Sequence, residues 1–142
     1  MLRRLTATSG SWAAIPLQLA LGVAFIGHGA QKVLGSFHGP GFAKFISFPA
    51  PFAFMRPAWL WMAVAAISEL VGGVLVLLGF LTRVGAFLIV CIMLTVIIGV
   101  LWPKFFAPEG MELAVAFLGM ALALLISGGG QLSVDRMIGG RR

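Results

Sequence analysis

Polar positions are rare along this chain, and they fall in clusters. Between them lie four apolar runs, about Ile15 to Leu34, Trp59 to Leu81, Val84 to Trp102 and Met111 to Ile126. Each approaches the roughly 20 residues that cross a ~30 Å hydrocarbon core at 1.5 Å per residue. None alternates with period two, and in lipid only helices and closed barrels satisfy their backbones. The pattern therefore predicts an all-α fold, four transmembrane helices in an antiparallel bundle, as one domain over residues 1–142. The first run is too long for a signal peptide, and His28, Gln31 and Lys32 stand where a cleavage site would fall.

Punctuation between the runs supports the count. Thr82 and Arg83 leave room only for a very tight turn, so the second and third helices are antiparallel neighbours. Trp102-Pro103-Lys104 closes the third helix, and Pro108-Glu109-Gly110 opens the fourth, with Glu109 near its N-terminal dipole. Gly128-Gly129-Gly130 ends it. Trp12, Trp59, Trp61 and Trp102 all fall near predicted boundaries, as aromatic belts do. The connection from Ser36 to Ala58 is long and rich in phenylalanine and proline. Within it, Gly41 to Phe48 puts Phe42, Phe45 and Ile46 on one helical face with Lys44 opposed, which fits a short helix between the first two spans that either lies in the interface or simply caps the bundle.

Composition agrees. The chain is 61% hydrophobic and 10% charged, with a mean hydropathy of +1.08. A soluble domain has about a quarter of its residues charged. The formal charge of +6 does not point to nucleic acid, because the basic residues flank the apolar runs. They report topology instead. Arg3, Arg4, Arg83, Arg136, Arg141 and Arg142 fall on one side, and Lys32, Lys44, Arg56 and Lys104 on the other. The larger group places both termini in the cytoplasm. A single cysteine, Cys91, excludes an internal disulfide and reads as a small apolar packing residue.

Few ionisable groups lie inside the spans, and such groups point to function by default. His28, Gln31 and Lys32 share one face of the first helix at i, i+3 and i+4. Glu69 sits near the middle of the second, in a stripe with Ala65 and Gly73. Glu112 opens the fourth, in a stripe with Ala116, Gly119 and Ala123. Small residues admit close helix approach, so both stripes are expected to face the bundle interior. Taking Phe25 as the centre of the first span, His28 lies about 4–5 Å and Lys32 about 10 Å from it. Depth then matches His28 with Glu69 and Lys32 with Glu112, and the long lysine also permits exchanged partners. The group reads either as a polar pocket or as an ionic clasp that fixes helix register. Phe37, Phe42 and Phe45 are positioned to wall its entrance. No spacing demands a metal site from His28, His38, Glu69 and Glu112, and no nucleotide, zinc or serine-hydrolase motif is present.

Leu21-Gly22-x-x-Phe25-x-x-His28-Gly29-x-x-Lys32 resembles the first-helix signature of the DoxX family. Glu69-Leu70-x-Gly72-Gly73 and Gly79-x-x-Thr82-Arg83 are similar to its second helix and following turn. Met93 fits its third helix, and Glu112 with Gly128-x-Gly130-x-x-Ser133-x-Asp135 resembles its C-terminal part. The resemblance implies a small four-helix protein of the bacterial inner membrane. The family takes its name from a subunit of a thiosulfate:quinone oxidoreductase, and other members are linked to membrane oxidoreductase assemblies. It carries His28, Lys32, Glu69 and Glu112 over as the family's polar positions.

Three functions follow as expectations. The first is a quinone-interacting or accessory subunit of a membrane oxidoreductase. His28, Gln31 and Lys32 would donate to quinone oxygens, Glu69 or Glu112 would carry protons, and a redox protein partner would supply electrons. No covalently bound cofactor is expected. The second is a non-enzymatic membrane anchor or assembly module, with a homo-oligomer as one form, whose buried charges are structural. The third is a small-solute or proton pathway, disfavoured because no span is visibly broken.

Overall fold

The computed structural model describes residue 6 and residues 8–139. Among these residues the regular structure is helical, with no strand. Helix α1 spans Ala14–Val33, α2 Gly41–Phe45, α3 Ala58–Leu78, α4 Thr82–Val96, α5 Glu112–Ser127 and α6 Val134–Gly139. Three of them, α1, α3 and α4 continued to Leu101, are long and apolar enough to cross a membrane. The fourth long helix, α5, is apolar but has 16 residues. At 1.5 Å per residue that is about 24 Å, short of a ~30 Å core. Arg3, Arg4, Arg141 and Arg142, which weigh in the expected orientation, lie outside the described residues.

The long helices pack α1 on α3, α3 on α4, α4 on α5 and α5 on α1. Leu21 and Phe25 of α1, Val76 of α3, Ile89 of α4 and Leu124 of α5 are fully enclosed at the centre. The tightest seam joins α1 and α3. A Cβ on Gly29 would stand 2.5 Å from Leu70 Cα, and one on Gly73 would stand 2.6 Å from the Ile26 nitrogen. The two backbones touch there, as small residues allow in membrane helices. Residue 22 meets 77, 26 meets 73 and 29 meets 70, so α1 and α3 are antiparallel. That register brings Glu69 to the level of the last turns of α1.

The turn between α3 and α4 lies earlier than expected. Gly79 closes α3 in the left-handed region at φ 64°, and Thr82 already belongs to α4. A C-terminal residue holds this corner. Asp135 is 1% exposed. Its Oδ1 accepts from Leu81 N at 2.7 Å, and its Oδ2 accepts from Thr82 N at 2.8 Å and Thr82 Oγ1 at 2.9 Å. It satisfies donors that the start of any helix leaves open, and its charge suits the helix dipole.

Two further departures concern the opposite end of the bundle. Helix α5 starts at Glu112, one residue from the expected Met111, but Glu109 does not sit at its N-terminus as expected. Glu109 pairs with Lys104 in the preceding loop. And α4 does not end regularly: Ile97–Leu101 forms a π turn. A Cβ on Gly99 within it would stand 2.7 Å from Pro51 Cβ and 2.9 Å from Phe52 Cζ. The widened turn is where the α2–α3 connection lies against α4.

Candidate functional site

Lys32 lies in the last turn of α1, and Glu69 lies midway along α3. Their side chains meet as an ion pair, with the Lys32 ammonium donating to both carboxylate oxygens. The side chains are 21% and 4% exposed, respectively. The antiparallel α1–α3 register makes the contact: the close approach at Gly29 and Leu70 leaves the lysine only a short reach. Phe45 of α2, buried, covers the ammonium from another side, with its ring centroid 5.3 Å from Nζ. A cation over an aromatic face gains further electrostatic stabilisation.

The pair forms one wall of a cavity of about 610 Å³. Trp61, Met62, Val64, Ala65 and Ser68 of α3 line one side. Leu88, Cys91, Ile92, Thr95 and Val96 of α4, with Val100 beyond them, line the other. Phe45, Phe48, Pro49, Pro51 and Met55 form the roof. The walls are mostly apolar, so a guest would find the charged pair at one end and hydrocarbon elsewhere. Val64 and Cys91 line the cavity and are exposed on the helix surface, so it opens sideways between α3 and α4. In a bilayer that side meets lipid chains. The Thr95 hydroxyl donates to Cys91 O at 2.9 Å. No hydrogen bond engages the Ser68 hydroxyl among the described residues.

The expected polar cluster thus divides. Lys32 and Glu69 come together in the exchanged pairing, not as Lys32 with Glu112 and His28 with Glu69. Depth along a helix leaves rotation about its axis open, and rotation decides which side chains meet. His28 is exposed on α1, its ring edge-on to Phe25 at a centroid distance of 6.3 Å. Gln31 packs where a Cβ on Gly39 would fall, 2.1 Å from its Cγ, and does not line the cavity. Glu112 is exposed, and its Oε1 accepts from Ala107 N at 3.1 Å. The stripe it heads turns outward: Ala116 and Gly119 are exposed, because Ala114, Ala121 and Leu124 form the buried side of α5. Of the three aromatic residues expected at the entrance, Phe45 lines the cavity. Phe42 is exposed, and Phe37, left-handed at φ 53° in the turn before α2, is 75% exposed. No group of three His, Cys, Asp or Glu side chains able to hold a metal occurs among the described residues.

Sequence reasoning missed the α4 side of the site. Cys91 reads from the sequence as a packing residue, yet it and Thr95 line the cavity. A signal was present: their spacing of four puts both on one face of an otherwise apolar helix. Met55, Trp61 and Met62 carried no comparable signal, because their role depends on how the connection folds back.

Apolar helices long enough to cross a bilayer, joined by a buried ion pair beside a lipid-facing cavity, define a small helical membrane protein. The family model described as DoxX matches residues 13–102. The chain belongs to the DoxX family. The matched stretch contains α1 to α4, the ion pair and the whole cavity lining, while Glu112 and Asp135 fall beyond it. No curated protein matches the chain, and no solved structure does.

Proposed function

We propose that this protein is a quinone-interacting, accessory subunit of a membrane oxidoreductase assembly, set in a bacterial inner membrane with four spans and both termini in the cytoplasm. One observation carries the reading: a laterally open apolar cavity whose single charged feature is Lys32 with Glu69. A quinone needs an apolar slot for ring and tail and a donor for its carbonyl oxygen. The Lys32 ammonium is a donor with three protons, and the Glu69 carboxylate beside it is placed to take or return one. The Ser68 hydroxyl adds a further polar contact. A lipid-soluble guest enters from the side without crossing water. Electrons come from a partner protein, and the chain binds, orients and exchanges protons.

The test is a thermal-shift titration of the purified protein with short-tailed ubiquinone and menaquinone. A ligand bound only by the folded form raises the midpoint as RT ln(1 + [L]/Kd). The reading expects a saturable rise in the wild type, lost in Glu69→Gln. No rise at any concentration, with Glu69→Gln merely melting lower, would leave the pair as a structural clasp and the protein as an assembly module.

A further inference from the structure

The cavity leaves His28 and Glu112 unused. Both are ionisable, both stand in apolar helices, and both are exposed. His28 contacts Phe25, and Phe25 contacts Phe117 of α5 at 5.7 Å, so His28 lies on the flank where α1 meets α5. Among the described residues nothing hydrogen-bonds its imidazole. Within a membrane span such a group normally faces protein or water, not lipid chains. Glu112 engages the Ala107 amide through Oε1 only, which leaves Oε2 without a donor among the described residues.

The two share a depth. Ser9 N donates to Ser127 O at 2.8 Å, so the start of α1 adjoins the end of α5 and the helices run in opposite directions. The Phe25–Phe117 contact fixes a common level. At 1.5 Å per residue, His28 lies about 4.5 Å and Glu112 about 7.5 Å beyond it, toward the same end. They differ by only about 3 Å along the bundle axis.

Two copies inserted in one membrane share orientation, so a two-fold axis along the membrane normal preserves depth. In an isologous contact, residue i meets j and j meets i. The geometry points to a homodimer through the exposed faces of α1 and α5, in which His28 of each copy bonds Glu112 of the other. Imidazole and carboxylate are complementary as donor and acceptor, the depths match, and both unsatisfied groups gain a partner. The outward face of α5 also admits close approach, since a Cβ on Gly119, on the same helical face as Glu112, would meet nothing within 4 Å. This interface is separate from the cavity, which opens between α3 and α4.

The test uses the full chain in a Cys91→Ala background, reconstituted in liposomes and oxidised. His28→Cys with Glu112→Cys in one chain is expected to give a covalent dimer in yield well above either single-cysteine chain. In micelles, light scattering is expected to find a wild-type dimer. His28→Leu and Glu112→Leu should each weaken it about tenfold or more, at the usual strength of polar contacts between membrane helices. The exchange His28→Glu with Glu112→His should restore it. Both residues are exposed in the single chain, so unchanged helicity of each variant separates a lost interface from a lost fold. A wild-type monomer in both micelles and liposomes would overturn the proposal. So would a dimer that neither cross-links at this pair nor responds to the exchange.

Discussion

Lys32 and Glu69 stand 37 positions apart in sequence and meet as an ion pair at the wall of an apolar cavity. Removing one member leaves the other charge buried without its partner, which costs more than removing both. Lys32→Met alone is therefore expected to destabilise the fold by on the order of 3 kcal/mol. Glu69→Leu alone should cost a similar amount. The double variant, apolar at both positions, should recover most of the loss. Chemical or thermal unfolding of the four proteins in one detergent measures this. Additive single losses would mean that the two side chains do not interact.

The α1–α3 seam makes a contrast within one helix. Gly29 has no room for a Cβ, with Leu70 Cα at 2.5 Å, whereas Gly27 two residues earlier has nothing within 4 Å. Gly29→Ala should force the backbones apart and cost about 1–3 kcal/mol. Gly27→Ala should be neutral or stabilise by up to about 1 kcal/mol, since alanine is the better helix former. Unfolding midpoints of the two variants check the order. Gly29→Ala should also weaken quinone binding, because the Lys32–Glu69 contact depends on this register.

How much of this was legible in the sequence follows from what each feature depends on. The helices were, because their apolar runs are long and continuous; their ends fall within a few residues of the expected ones. Lys32 and Glu69 stood out because charge inside an apolar run is costly wherever it points. Their pairing was not fixed, since depth along a helix is readable from residue number while rotation about it depends on neighbours. The same gap hid the outward turn of Ala116 and Gly119: a small-residue stripe looks identical whether it faces the core or the surface. The cavity roof, from Phe45 to Met55, rests on an irregular connection with no periodicity to read.

Asp135 was visible only inside a family pattern, yet it ties the C-terminal segment to the α3–α4 corner through three accepted hydrogen bonds. Asp135→Ala strands two backbone amides and a hydroxyl at a buried corner, where each unsatisfied donor costs about 1–3 kcal/mol. A loss near the upper end of that range is expected. Thr82→Val removes only the hydroxyl contact and should cost about 1 kcal/mol. Hydrogen exchange gives a local reading: the Leu81 and Thr82 amides should exchange much faster in Asp135→Ala than in Thr82→Val, with the amides of α1 little changed. Uniform acceleration across the chain would show that the residue acts on global stability and not as a cap.

Cys91 offers a direct probe of the cavity. Its thiol is free and exposed, on the α4 wall between Leu88 and Thr95. A membrane-permeant maleimide should label it in intact membranes, while a charged, impermeant reagent should react far more slowly, because the opening faces lipid. A short-tailed quinone at saturating concentration should protect the thiol. Cys91→Trp places an indole in the cavity without touching Lys32 or Glu69. It is expected to abolish the quinone-dependent thermal shift while leaving the unliganded midpoint within a few degrees of wild type. If binding survived in Cys91→Trp and was lost only in Glu69→Gln, the guest would lie elsewhere along the Glu69 face and not between α3 and α4.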